Sequence, residues 1–329
     1  MKLEEVPLSP FCPPYWLKNP HLQTILPRVI RQPTPRYQRE LHLDSTGRAQ
    51  VAYDFVWATG KQAPSHDKRP LAVMFHGLEG SSHSPYAKAF ANYATSLGWD
   101  AVVVHYRGCG GVHNRADVDY NAGDIAEVEH VLTRLLRYRE RLVAVGVSLG
   151  GNMLAKYMGE YQDNAKCLGA VIVSAPVDLT TSAKSMHRFV ARNVYTPYLL
   201  NSLVLKAAQK LDDPHALAAL KHLKTLDEFD ELYTAPRHGY GTASNYYRTA
   251  SALPVLHRIQ RPTLIISAKD DPFLGVVAHQ KDVSTHVRLL YSAHGGHVGF
   301  IGAHGKRLHL EWLPKTTFEF FEWVLTSAG

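Results

Sequence analysis

The chain has 329 residues, of which 45% are hydrophobic and 20% are charged, and its formal net charge is +7. This composition is typical of a globular protein and excludes collagen-like and intrinsically disordered chains. The basic residues are scattered, and their densest cluster, "TRLLRYRERL", has the apolar spacing of a helix with one solvated face. We therefore expect no nucleic-acid partner.

Residues 1–36 open the chain with many prolines and aromatic residues, including "PPYWLKNPHLQTILP". We interpret this segment as an irregular arm packed on the rest of the protein, because flexible linkers rarely carry Trp and Leu at this density. Acidic residues and prolines interrupt it where a secretion signal needs an apolar core, and no later run is long enough to span a bilayer. We expect neither a secretion signal nor a membrane segment.

The three cysteines, Cys12, Cys109 and Cys167, are far apart in the sequence. An odd number at such spacings predicts neither a disulfide framework nor a metal site. Cysteines used in this way are typical of a reducing compartment, so we expect a cytoplasmic protein.

Two kinds of segment alternate after the arm. "RELHL" and "QVAYDFVW" read as strands joined by a turn at 44–47. Short runs that are apolar on both faces predict buried parallel strands. Helical periods between them predict covering helices, and together they indicate a single α/β domain, 1–329, with a mostly parallel central sheet flanked by helices. The runs lie at 71–75, 100–106, 142–147, 169–175, 262–268 and 287–292, and the helical segments at about 85–97, 120–138, 149–161, 275–284 and 306–325.

One interval, at about 178–253, contains helical stretches and no convincing strand. An insertion of helices between two sheet strands predicts a cap, or lid, over the sheet edge where ligands bind. The alternative is a set of peripheral helices with no gating role.

The stretch "GVSLG" at 146–150 follows a predicted strand and precedes a predicted helix. A G-x-S-x-G pattern in this context predicts a nucleophile elbow, in which a tight turn exposes a serine hydroxyl and leaves room only for glycine beside it. We therefore expect Ser148 to be a nucleophile. The alternative is a glycine-rich turn in a non-catalytic fold.

A nucleophilic serine needs a base and an acid, and both are expected after later strands. "PTLIISAKDDPF" offers Asp271, with Asp270 as the alternative acid or as a helix N-cap. "VRLLYSAHGGHVGF" offers His297 as the base, with His294 as its rival. A metal site at His294, His297 and His304 is disfavoured, because no carboxylate or cysteine ligand set accompanies them in the sequence.

Acyl transfer also requires two N–H donors for the oxyanion. The backbone N–H of Leu149, directly after the serine, is the first candidate, and that of Leu78 in "HGLEGSSHSPY" is the second. We expect His76 to order this loop, and Arg107 in "HYRGCGG" to belong to a structural turn without a catalytic step.

These motifs, together with "YNAGDIAEVEHVL" and "GYGTASNYY", resemble the α/β-hydrolase superfamily, and most of all its YheT-like branch of esterases, which is similar to yeast medium-chain fatty-acid ester synthase/esterases. The resemblance implies a Ser148–Asp271–His297 triad, a lid, no metal or organic cofactor, and cleavage of short- to medium-chain acyl esters through an acyl-enzyme. An acyltransferase (ester synthase) or a phospholipase-type lipid hydrolase on the same triad is the alternative among enzymes. A non-catalytic binding protein on a hydrolase fold is the alternative from another class.

Overall fold

The computed structural model describes residues 3–62 and 68–327 and contains a central sheet of eight strands. In chain order, strands β1 to β8 span Gln38–Leu43, Gln50–Val56, Leu71–Phe75, Asp100–Val104, Leu142–Val147, Ala170–Val173, Thr263–Ala268 and Val287–Ser292. Their spatial order is β1-β2-β4-β3-β5-β6-β7-β8. β1 and β2 are antiparallel to their neighbours, and β3 to β8 run parallel to one another. The predicted mostly parallel sheet is therefore confirmed.

Helices cover both faces of the sheet because its central strands are apolar on both sides. Along β3, Val73 faces one core and Met74 the other. Four helices pack on the sheet: α2 (Pro85–Ser96), α3 (Ile125–Leu135), α4 (Leu149–Tyr161) and α11 (Trp312–Ser327). The first core includes residues of α3 and α4, and the second includes residues of α2 and α11. This two-sided burial explains the near-continuous apolar runs in the sequence.

The insertion at 178–253, which we call the cap, lies between β6 and β7 and contains no strand in the part that the structure describes. Its helices are α5 (Leu179–Ser185), α6 (Thr196–Ala208), α7 (Pro214–His222), α8 (Leu226–Phe229), α9 (Ala235–Arg237) and α10 (Ala243–Ala250). Two single-turn π-helical segments occur at Ala191–Tyr195 and Asp230–Thr234. The core of the cap packs Leu200, Leu220 and Phe229 against one another.

Two predicted helices need correction. Residues 275–284 form an extended loop with a single 3₁₀ turn at Gln280–Asp282. Gly275 packs closely against Thr181 of α5, where a Cβ atom would lie 2.4 Å from the Thr181 carbonyl oxygen. The C-terminal helix begins at Trp312 rather than near 306. The preceding residues form a hairpin of β9 (Gly302–His304) and β10 (Arg307–His309), whose turn contains Gly305 at φ +60°.

The N-terminal arm contains a short helix, α1 (Pro20–Ile25), that the sequence pattern did not predict. The Asn19 side chain caps it by accepting hydrogen bonds from the backbone N–H groups of His21 and Leu22. Leu17 of the arm is fully buried and packs with Ile301 and Leu310. Within the described residues, no helix is both long enough and apolar enough to cross a bilayer.

Candidate active site

Ser148 lies at the turn between β5 and α4 with φ +54°, a left-handed conformation that is unusual for any residue except glycine. The neighbouring glycines are needed for space. A Cβ atom on Gly150 would lie 2.5 Å from the carbonyl oxygens of Phe75 and His76, and one on Gly146 would lie 2.5 Å from the carbonyl oxygen of Gly150. These contacts give the physical reason for a serine between glycines.

The structure brings Ser148, Asp271 and His297 together at the carboxyl edge of the sheet. His297 Nε2 lies 2.9 Å from Ser148 Oγ, and His297 Nδ1 lies 2.9 Å from Asp271 Oδ2. When Nδ1–H donates to the carboxylate, Nε2 is free to accept the serine proton. Asp271 is only 5% exposed and also accepts the backbone N–H of Phe273.

The two rival residues occupy a different position. Asp270 accepts the backbone N–H of Gly296 and lies 3.4 Å from His294 Nδ1. The contacts of this second pair therefore do not reach Ser148, and they order the glycine-rich turn that carries His297. Of the three histidines considered for a metal site, His297 contacts Ser148 and Asp271, and His304 lies on the hairpin.

Two backbone N–H groups near Ser148 are available as donors. Leu149 is the first residue of α4, and neither its N–H nor that of Leu78 has an acceptor within 3–62 and 68–327. The loop of Leu78 runs close to the serine, since a Cβ on Gly77 would lie 3.1 Å from Ser148 Cβ. Leu78 and Leu149 both line the same pocket as Ser148.

His76 orders the loop that carries Leu78, as expected. It is fully buried, and its Nδ1–H donates to the carbonyl oxygen of Gly77 over 2.7 Å. Burial lowers the pKa of His76 to about 3, so the ring is neutral at physiological pH. The Tyr86 hydroxyl accepts the N–H of Gly77 over 3.0 Å, which adds a second contact to this loop.

Glu79, next to Leu78, connects this loop to the cap. Its carboxylate lies 2.6 Å from Lys206 Nζ and accepts hydrogen bonds from the hydroxyls of Ser202 and Tyr120. Ser202 and Lys206 both belong to α6, so the position of this cap helix is coupled to the loop. This link is not predictable from the sequence, because no local pattern relates Glu79 to residues more than a hundred positions later.

The arm supports the histidine loop from the other side. Thr24 Oγ1 accepts the backbone N–H of His297 over 3.0 Å. The fully buried Gln23 accepts the backbone N–H of Ile301 and donates to the carbonyl oxygen of Leu17. No sequence motif marks either residue, and only the high density of apolar residues in the arm indicates such packing.

Arg107 has a structural role, as expected. Its side chain is 1% exposed and forms ion pairs with Asp44, Asp124 and Glu127. Asp44 lies in the turn after β1, whereas Asp124 and Glu127 lie at the start of α3. The guanidinium of Arg107 therefore links these two parts of the chain.

A cavity of about 910 Å³ lies over Ser148 and is enclosed partly by the cap. Its wall is largely apolar. The cap contributes Leu179, Met186, Leu199, Leu203, Phe229 and Tyr246 to it. This volume and lining suit an apolar chain held beside the hydroxyl.

Asp230 lies in this wall and makes the stability of the protein depend on pH. Burial raises its pKa from 3.8 to about 6, although Tyr247 donates a hydrogen bond to it. The unfolded chain loses this proton near pH 4, whereas the folded protein keeps it until about pH 6. The contribution of Asp230 to stability therefore falls as pH rises through this window, and the loss persists at higher pH.

We expect Asp230→Asn to raise the free energy of unfolding at pH 8 by on the order of 1–3 kcal/mol, because the amide stays neutral and can still accept from Tyr247. The gain should shrink as the pH is lowered from 6 towards 4. Denaturant titrations across this range measure it, with the exposed Asp212→Asn as the control that changes little. A gain that grew towards acid pH would contradict the assignment.

Comparisons with known proteins agree with this architecture. A family model described as "alpha/beta hydrolase fold" matches residues 70–303. Over 316 residues the chain is 42% identical to YheT of Escherichia coli, whose name describes it as a candidate esterase, and the match covers 92% of this chain and 90% of that protein. It is 30% identical over 282 residues to the medium-chain fatty acid ethyl ester synthase/esterase 2 of Saccharomyces cerevisiae, covering 77% and 62%.

The fold is also that of known structures. An esterase of Pyrococcus furiosus aligns with a TM-score of 0.56 at 14% sequence identity, over 97% of each chain. A likeness at this low identity shows the fold and carries no information about the substrate.

Proposed function

Because the chain belongs to the α/β-hydrolase family, as its motifs predicted, we propose that it is a serine esterase that cleaves carboxylic esters of short to medium acyl chains. The observation that carries the proposal is the contact of Ser148 Oγ with His297 Nε2 at 2.9 Å, with Asp271 on the far side of the ring. A hydroxyl, an imidazole and a carboxylate in this order can activate a serine for acyl transfer.

In the proposed mechanism, Ser148 Oγ attacks the ester carbonyl while His297 Nε2 takes the hydroxyl proton. The N–H groups of Leu78 and Leu149 stabilise the negative charge on the carbonyl oxygen. The alcohol then leaves with the proton from His297, and the acyl group remains on Ser148. Water, activated by His297, attacks this acyl-enzyme and releases the acid.

Asp271 is proposed to hold the imidazole in the required tautomer and to stabilise its charged form. Phe273 stacks on the His297 ring with 4.1 Å between centroids, which limits ring rotation. The arm adds the Thr24 hydrogen bond to the same residue. These contacts support a base that is already oriented before substrate binds.

The cavity supports the choice of acyl chain. Its apolar wall can remove acyl methylene groups from water, and each buried methylene contributes up to about 0.8 kcal/mol. The proposed role of the cap is therefore to provide the acyl-chain site. The free cysteines, of which Cys109 and Cys167 are buried, support the proposed cytoplasmic location.

The test is hydrolysis of p-nitrophenyl esters from acetyl to dodecanoyl, combined with labelling by a fluorophosphonate probe. We expect labelling, and a kcat/KM that rises by up to roughly fourfold per added methylene until the cavity is filled. Neither labelling nor hydrolysis, under conditions in which a reference serine esterase reacts, would overturn the proposal in favour of a binding protein.

Acyl transfer to an alcohol is the second candidate, favoured by the name of the yeast relative, which includes ester synthesis. The same acyl-enzyme would transfer its acyl group to ethanol instead of water. Adding ethanol to the hydrolysis assay and quantifying ethyl ester against free acid separates the two. A product that is mainly ethyl ester would favour the synthase.

A further inference from the structure

Two histidines and a glutamate meet on the β9–β10 hairpin, outside the cavity over Ser148. His304 Nε2 and His309 Nδ1 lie 3.5 Å and 3.7 Å from Glu311 Oε2, respectively. The two imidazole rings stack with 4.3 Å between centroids and 14° between planes. One ligand atom from each of the three side chains can be chosen so that all lie within 4.8 Å of one another.

The hairpin backbone places the rings together. In the antiparallel register His304 pairs with Arg307, and His309 pairs with Gly302, so both histidines project from the same face. Gly302 leaves space for the His309 ring, because a Cβ there would lie 2.5 Å from its Cε1 atom. Leu308 packs with Leu17 and Ile301, which anchors the hairpin to the domain.

The side chains of the cluster are of types that bind divalent cations, because two imidazole nitrogens lie beside one carboxylate oxygen. The carboxylate of Glu311 supplies the negative charge that a divalent ion would partly neutralise.

We propose that His304, His309 and Glu311 form a binding site for a divalent transition metal ion of the Zn²⁺ class. Ligand atoms in a tetrahedral zinc site, with bonds of about 2.0–2.1 Å, are separated by roughly 3.3 Å. The distances from the glutamate oxygen to the two histidine nitrogens are close to this value. To direct both nitrogens at one ion, the imidazole rings must rotate out of their stacked arrangement. Two imidazoles and one carboxylate suit zinc better than magnesium or calcium, and water would complete the coordination.

The site is structural in this proposal and takes no part in the chemistry at Ser148. None of its three residues lines the cavity. The hairpin follows the loop of His297 directly, and Ile301, just before Gly302, accepts a hydrogen bond from Gln23 at its carbonyl oxygen. A bound ion would therefore stabilise the segment that continues from the histidine loop.

The experiment titrates the metal-stripped, full-length protein with Zn²⁺ against a chromophoric chelator. We expect one equivalent to bind, at least roughly tenfold weaker binding after His304→Ala or Glu311→Gln, and no such change for the exposed control His222→Ala. Mg²⁺ should not compete. Melting curves in EDTA that match the wild type show that each variant is folded.

Two outcomes would overturn the proposal: no Zn²⁺ binding by the wild type, or unchanged binding after the combined His304→Ala and His309→Ala substitutions. Because binding is measured without turnover, its failure is separate from failure of the proposed esterase activity. Zn²⁺ should also raise the melting temperature of the wild type but not of the double variant.

Discussion

Ser148→Ala is expected to lower kcat for ester hydrolysis by about 10⁴- to 10⁶-fold, because no other group can form the acyl-enzyme. It should also abolish fluorophosphonate labelling. Alanine has the same backbone constraint at φ +54° and removes only the hydroxyl, so the melting temperature should change little. Initial rates on a p-nitrophenyl ester and gel-based labelling measure both effects.

Ser182→Ala is the matched control for this substitution. Ser182 is a buried serine that lines the same cavity, and its hydroxyl has no hydrogen-bond partner within the described ranges. Its loss should leave kcat and labelling nearly unchanged. Labelling that survived Ser148→Ala but disappeared with another serine would contradict the assignment of the nucleophile.

Much of the candidate site follows from the sequence because each chemical group lies in the loop or turn after a strand of the parallel sheet. Ser148 follows β5, Asp271 follows β7, and His297 follows β8. The carboxyl ends of parallel strands meet at one edge of a sheet, so the order of runs and loops is enough to bring these residues near one another. The glycines beside the serine then distinguish this loop from an ordinary turn.

The supporting contacts could not be predicted in the same way. The hydrogen bond from His297 to Thr24 joins residues 273 positions apart, and neither residue carries a local pattern that names its partner. The link from Glu79 to Lys206 depends on how the cap lies over the sheet. Such contacts are set by tertiary packing, which periodicity does not encode.

The hairpin at Gly302–His309 illustrates a different difficulty. Apolar Leu308 and Leu310 continue into the true helix at Trp312, so a helical pattern extends too far toward the N-terminus. The turn at Gly305 was the available signal for a break. The segment at 275–284 was wrongly predicted to be a helix for a similar reason. Its apolar residues Ala278 and Val283 are buried, but they belong to an extended loop and not to one face of a helix.

Asp271→Asn is expected to lower kcat by about 10⁴-fold, whereas Asp270→Asn should cost less than about tenfold. The reason lies in the hydrogen bonds around the carboxylate. Oδ1 of Asp271 accepts the N–H of Phe273, so an asparagine would keep its oxygen there and turn its amide N–H groups towards His297 Nδ1. The ring would then carry its proton on Nε2 and could not take the proton of Ser148.

Asp270→Asn is the matched control, because an amide oxygen at that position can still accept the N–H of Gly296. Its smaller effect should come only from the weakened contact with His294. Steady-state rates for both variants, with labelling rates for Ser148, measure the difference. The Asp271 variant should label slowly, unlike Ser148→Ala, since its nucleophile is present but poorly activated. Equal small losses in the two variants would show that neither carboxylate orients the base, and a larger loss for Asp270→Asn would move that role to the neighbouring residue.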